Sequence, residues 1–248
     1  MTKQKRPFTF KMLAKIASHL RLKGRANLSF SIKVSWAAMV LAFNQLLRGN
    51  EVAQAQTMTF ANRLPMVHSH IVHYGVDGKV LQHPVSPADA RARLCSLASS
   101  KLKMPPSKAD PEGHNLPLYL VGGCGGLSEW LSPASQIFLL QGDSPVLQVA
   151  SRHHSIIFRV SPTSVKAITT NSLQHAAARL CRDAKINPDG IGTHAYRIGG
   201  MNHLMESGAT IPQIMCIGRW SSDAWKLYAR RNRPKLMSWS RKLTHSLH

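Results

Sequence analysis

Apolar residues along the chain recur three and four positions apart in long blocks, and alternate with polar ones in a few short blocks. The stretch PFTFKMLAKIASHLRLKG predicts a first helix, with Pro7 near its start and Gly24 past its end. SFSIKVSWAAMVLAFNQLLRGNEVAQA predicts a second, the most apolar of the chain, with Val34, Ala37, Ala38, Leu41 and Gln45 at helical spacing. Gly49 and Asn50 are expected to break it and to present Arg48 at its exit. Between Met58 and Leu120 the pattern loosens. HSHIVHYG and KVLQH flank VDG, a hairpin signal. SPADARARLCSLASS reads as a helix capped by Ser86 with Pro87 in its first turn. KLKMPP and NLPLYLV read as two strands joined by the turn SKADPEGH.

The region from Gly122 to Pro162 has no clear period, and GGCGG within it reads as a flexible turn, since it lacks the Lys-Ser/Thr of a phosphate loop. Helical patterning then returns in TTNSLQHAAARLCRDAKI, THAYRIGGMNHLMESG, IPQIMCIGRW and SDAWKLYARR, with Gly208 closing the second of these. The residues after Pro234 are expected to form a loose tail or a docking helix. The pattern therefore predicts an α+β, mainly α domain with a small antiparallel sheet, without internal repeats.

Composition changes this picture in one respect. The 248 residues suit one domain with short appendages, but 32 Lys and Arg against 11 Asp and Glu give a net charge of +21 and a pI near 10.6. A field of that sign attracts polyanions and fits a nucleic-acid partner. The four cysteines, Cys95, Cys124, Cys181 and Cys216, are far apart without CxxC spacing, which argues against a metal signature and for a reducing, intracellular setting. No apolar run approaches a membrane span.

The candidate chemistry is cationic. Arg48 and Arg197 lie in core-rich neighbourhoods, so each is either salt-bridged or binds an anion, and Glu51 is the structural partner three residues from Arg48. Paired guanidinium forks match phosphate geometry. His194 lies three residues before Arg197, on the same helical face. It suits proton transfer near neutral pH, or serves simply as a helix-start or core histidine. Lys108 falls in the turn SKAD, where most lysines are only solvated. Trp220 suits a core anchor, or an indole donor to a phosphate oxygen. Tyr228 offers a phenol that cations can activate as a nucleophile. A zinc site is the weaker reading, because His153 and His154 are adjacent and no cysteine is suitably spaced.

Taken together, these residues resemble the catalytic domain of the tyrosine recombinase (phage integrase) family. LLRGNEVAQ resembles its first arginine box, at Arg48 with Glu51. HAYR matches its HxxR at His194 and Arg197, and GRWSS the later box at Trp220. WKLYARR matches the nucleophile position at Tyr228, and SKAD the site of the mobile lysine at Lys108, with Lys101 and Lys103 close by as alternatives. The wording GRWSSDAWKLY is closest to recombinases of eukaryotic mobile elements of the DIRS and Crypton kinds.

The resemblance implies a catalytic domain over residues 1–231, with a basic tail or docking helix over 232–248. The helical core-binding domain that usually precedes it is expected to be absent or truncated, and the interval from Trp220 to Tyr228 is one residue shorter than in many bacterial and phage members. The implied activity is cleavage and rejoining of double-stranded DNA through a 3′-phosphotyrosyl link at Tyr228. Arg48 and Arg197 face solvent at one phosphate, Lys108 acts as acid and His194 assists with the proton. Tyr196 is the fallback nucleophile. The resemblance further implies no cofactor or metal, no small-molecule substrate, a homo-oligomer on DNA, and residence with DNA, in the nucleus if eukaryotic. The rivals are a catalytically inactive DNA-binding remnant of a mobile element and a basic RNA-binding protein.

Overall fold

The computed structural model describes residues 6–54, 66–105, 117–144, 156–164 and 166–226; Lys108 and Tyr228 lie outside them. Helix α1 (Phe10–Lys23) starts where the Thr9 hydroxyl accepts the Met12 N–H and ends at Gly24, whose φ of 76° an L side chain rarely adopts. Its apolar face, including Leu13, Ile16 and Leu20, is buried. Helix α2 (Phe30–Asn44) is buried continuously from Val34 to Phe43, so it is a central helix rather than a surface one. It stops at Asn44, five residues earlier than the glycine signal suggests. Gly49 and Asn50 instead open a separate short helix, α3 (Gly49–Val52).

Strands β1 (Ile71–Gly75) and β2 (Val80–Leu81) form the expected hairpin, with Gly78 at φ 76° in its turn. The predicted helix from Ser86 is cut short. Helix α4 (Pro87–Arg93) is capped by Ser86 and passes through a 3-10 turn into β3 (Leu97–Leu102). The segment LASSKL gains more from the sheet than from a helix. β3 pairs with β1 and buries Leu97, Ser100 and Leu102, and the buried Ser100 hydroxyl has a partner in His73 at 2.6 Å. Strand β4 (Leu118–Val121) falls within NLPLYLV and pairs antiparallel with β3, which shares only Lys101 and Leu102 with the expected strand KLKMPP, and the sheet order is β2-β1-β3-β4.

The stretch after β4 has no period because its main helix is buried all round. The first half of GGCGG is packed: the Gly123 N–H donates to the Ser135 hydroxyl at 2.8 Å, and a side chain on Gly122 would run into the Leu97 carbonyl, while Gly125 and Gly126 are exposed. Helix α5 (Gly126–Leu131) follows, then α6 (Pro133–Gly142), every residue of which is buried against α2, α4 and the sheet. The polar groups inside are paired. His73 Nε2 donates to Gln141 Oε1 at 2.7 Å, and the Gln141 amide donates to His68 Nδ1 at 2.9 Å. In the neutral ring His73 Nδ1 then accepts from the Ser100 hydroxyl. Burial pushes the His73 pKa down to about 3, and the nearby His83 and Arg93 push in the same direction.

Helices α7 (Thr170–Asp183), α8 (Ala195–Glu206) and α9 (Ile211–Gly218) complete the fold, which is mixed α+β and mostly helical. Of the expected last helix the described residues show a 3-10 turn, Asp223–Trp225, followed by Lys226 in helical conformation; the rest of SDAWKLYARR lies outside them. One large core joins α1, α2, α6, α7 and the sheet. A second cluster of Leu46, Met201, Met205, Ile214 and Trp220 lies between α8 and α9. A disulfide joins Cys95 to Cys124, which the cysteine spacing did not suggest. The topology brings them together, because Cys95 just precedes β3 and Cys124 follows its partner β4. No described helix is long and apolar enough to cross a membrane.

Candidate functional site

The site begins where α2 runs out. Leu46 takes a left-handed conformation, φ 50°, and is fully buried. An L residue pays about 1–2 kcal/mol for that geometry, so surrounding contacts must hold it. Two residues on, Arg48 caps α3. Glu51 reaches back to accept the Arg48 backbone N–H at 2.6 Å, and the Glu51 N–H donates to the Arg48 carbonyl at 2.9 Å. Glu51 thus fixes the backbone of Arg48 and not its guanidinium. That side chain is half-buried and, among the described residues, makes no hydrogen bond or ion pair.

The HAYR segment sits directly against this turn. A Cβ on Gly49 would collide with the side chain of Thr193, so α3 and the residue before His194 meet at a glycine. Helix α8 comes this close because of Gly199 and Gly200. A side chain on Gly200 would strike the Phe43 carbonyl, and one on Gly199 the Phe8 carbonyl. His194 caps α8 with its carbonyl accepting from Ile198 at 3.3 Å, and is half-buried.

Arg197 departs from the solvent-facing position expected of it. It is only 2% exposed. Its two terminal nitrogens donate to carbonyls from opposite sides of the site, NH1 to Leu46 at 2.5 Å and NH2 to Gly218 at 2.8 Å. The guanidinium also lies 4.3 Å from the ring centroid of Trp220, a cation–π stack. Its position one turn inside α8, on the face packed against α2 and α9, explains the burial. Arg197 therefore holds the left-handed Leu46 and the end of α9 in place while bringing a buried positive charge. Trp220 is 8% exposed, within the second core cluster.

Glu51 joins these parts. Its Oε1 accepts from Arg219 NH2 at 2.8 Å, and its Oε2 lies 3.9 Å from Arg197 NH1. Arg219 follows α9 in a second left-handed conformation, φ 53°. The guanidiniums of Arg197 and Arg219 and the backbone N–H of Arg48 thus surround one carboxylate, with His194 on the adjoining turn. The site keeps a net positive charge and can attract an anion to the guanidinium of Arg48.

Of the six residues singled out in the sequence, the structure gathers Arg48, His194, Arg197 and Trp220 from three separate stretches. Lys108 and Tyr228 lie outside the described residues. By sequence Lys108 falls in the connection between β3 and β4. Lys101 and Lys103 are exposed, on and just after β3. Arg219 was missed as a site residue; it stands in GRW beside Trp220, but a left-handed residue belongs to no helical period. Tyr196 does not suit the fallback role. It is 1% exposed, edge-on to Phe8, and burial pushes its phenol well above the usual tyrosine range. Among the described residues no group of three His, Cys, Asp or Glu is placed to hold a metal ion. No protein-family model matches the chain, and no curated protein matches it.

Proposed function

We propose that the chain is a tyrosine recombinase, an integrase-like catalytic domain over residues 1–231 that cleaves and rejoins double-stranded DNA. The observation that carries this reading is the convergence of Arg48, Arg197 and Trp220 about Glu51, with Thr193 beside His194 packed on Gly49, from stretches about 150 residues apart in the chain. In this mechanism the Tyr228 oxygen attacks a backbone phosphate. A 3′-phosphotyrosyl bond forms and the bond to the 5′-oxygen breaks, so the phosphodiester energy is kept and no cofactor is required. Arg48 presents its fork to the non-bridging oxygens. The buried charge of Arg197 adds to the stabilisation of the charge that develops there. Lys108 protonates the departing 5′-oxygen, and His194 assists proton movement at the phenol. Trp220 packs the floor of the site through Arg197. On this reading the protein works as a homo-oligomer on DNA, with its DNA inside the cell, in the nucleus if eukaryotic.

The burial of Arg197 favours a second reading, a DNA-binding remnant without turnover, because both terminal nitrogens are occupied by carbonyls. A nicked suicide duplex, from which the cleaved fragment diffuses away, separates the two. The recombinase reading expects a denaturant-resistant protein–DNA adduct that Tyr228→Phe abolishes while salt-sensitive binding stays. Binding without any adduct from the parent chain selects the remnant. An adduct that persists in Tyr228→Phe rejects Tyr228 as the nucleophile.

A further inference from the structure

We infer that the outer face of α1 and α7, with the turn that follows α7, is a second contact surface for the backbone of duplex DNA flanking the site. Helix α1 buries Met12, Leu13, Ile16, Ala17 and Leu20, which leaves Lys11 and Lys15 exposed, one turn apart, on the opposite side. Helix α7 packs beside α1 and buries Leu173, Ala177, Leu180 and Cys181, so Arg179 and Arg182 point outward.

Hydrogen bonds tie the two sets together. Lys15 Nζ donates to the Lys185 carbonyl at 3.2 Å, and Arg6 NH1 to the Asn187 carbonyl at 3.3 Å. Arg6 and Arg182 both bear electrostatically on the thiol of Cys181. Arg6, Lys15, Arg182 and Lys185 therefore form one cluster. On these stretches the only carboxylates are Asp183 and Asp189, and Asp183 already lies 3.7 Å from Lys23. The local charge is thus largely uncompensated, although cations this close repel one another, which is the expected mark of a surface that meets a polyanion.

The face is continuous with the site. The Arg6 N–H donates to the Gly190 carbonyl at 2.8 Å, and the Phe8 N–H to the Ala195 carbonyl at 3.0 Å, so residues 6–8 run alongside the segment that carries His194. A duplex engaged at Arg48 and His194 meets this face as it leaves. The helical rise sets Lys11 and Lys15 about 6 Å apart along α1. That spacing suits a strand with one charge per roughly 3.4 Å of axis. An anionic membrane fits less well, because the apolar face of α1 is spent in the core. The inference rests on the reading that DNA is the substrate.

The test compares two double variants of equal net charge, Lys15→Gln with Lys185→Gln, and Lys79→Gln with Lys166→Gln. All four lysines are exposed; Lys79 sits in the turn between β1 and β2 and Lys166 precedes the start of α7, both outside the cluster of Arg6, Lys15, Arg182 and Lys185. Binding of a fluorescent duplex of about three helical turns is followed by anisotropy across a salt series. Each phosphate contact adds about 0.9 to the slope of log affinity against log salt, so the first double should lower the parent slope by roughly 2 and the second by none. Equal slopes in the two doubles overturn the surface and leave the recombinase reading intact. A parent chain that binds no duplex overturns both. Should the first double lose binding to phosphatidylserine vesicles with its DNA slope unchanged, the face belongs to a membrane and the inference fails.

Discussion

Replacing Arg197 should unsettle the fold as well as the chemistry. In Arg197→Met the volume is nearly kept, but the Leu46 and Gly218 carbonyls lose their donors and Trp220 loses the cation on its face. A buried polar group without a partner costs about 1–3 kcal/mol, and a desolvated cation–π contact contributes up to about 2. Glu51 is not orphaned, because Arg219 still holds it at 2.8 Å, and this keeps the loss below the sum of the separate parts. The expected cost is about 3–5 kcal/mol, the range for breaking a buried charged network. With a urea slope near 3 kcal/mol per molar for a chain of this size, the midpoint should fall by about 1–1.7 M, followed by circular dichroism. Arg197→Lys should fall between methionine and the parent, since one ammonium cannot span carbonyls on opposite sides of the site. A methionine variant within about 1 kcal/mol of the parent would refute the clamp and return Arg197 to the solvent-facing role that its motif suggests.

Gly200→Ala should lower the melting temperature, although alanine ordinarily favours a helix over glycine by about 1 kcal/mol. The added Cβ meets the Phe43 carbonyl, a backbone atom that cannot swing aside, and overpacking of this kind costs about 1–3 kcal/mol, or roughly 3–10 °C for a chain of this size. Gly192→Ala, where no atom is within 4 Å, is the control, and equal melting points for the two alanine variants would count against the close crossing of α8 and α2. His73 governs acid stability: its folded pKa of about 3 lies below the ordinary 6.5, so the unfolded chain binds the extra proton. Its contribution is complete above pH 6.5 and is lost at up to about 1.4 kcal/mol per pH unit as pH falls toward 3. In His73→Gln the urea-derived stability should decline less steeply from pH 6.5 to 4, and a slope identical to the parent would contradict the neutral buried ring.

The sequence by itself determined most of the elements and the identity of the charged side chains. Helices with one apolar face, α1 and α7, were legible because burial on one side imposes a period on the chain, and Ser86 with Pro87 marked the start of α4. The hairpin of β1 and β2 was legible for a similar reason, since a glycine in its turn interrupts two alternating runs. Where burial is complete the period vanishes, so α6 left no pattern to read, and the serines of β3 disguised a strand as the end of a helix. The motif also placed Arg48, His194, Arg197 and Trp220 in the same company without their tertiary positions. Only the tertiary structure decided that Glu51 binds Arg219 and the backbone of Arg48, and that Arg197 is a buried clamp while Arg48 reaches the surface. Those outcomes depend on carbonyls at Leu46 and Gly218 being released by left-handed and helix-end geometry, and on glycines that let α8 approach α2. Such contacts join residues about 150 positions apart, and no local period records which donor will meet which acceptor across that distance.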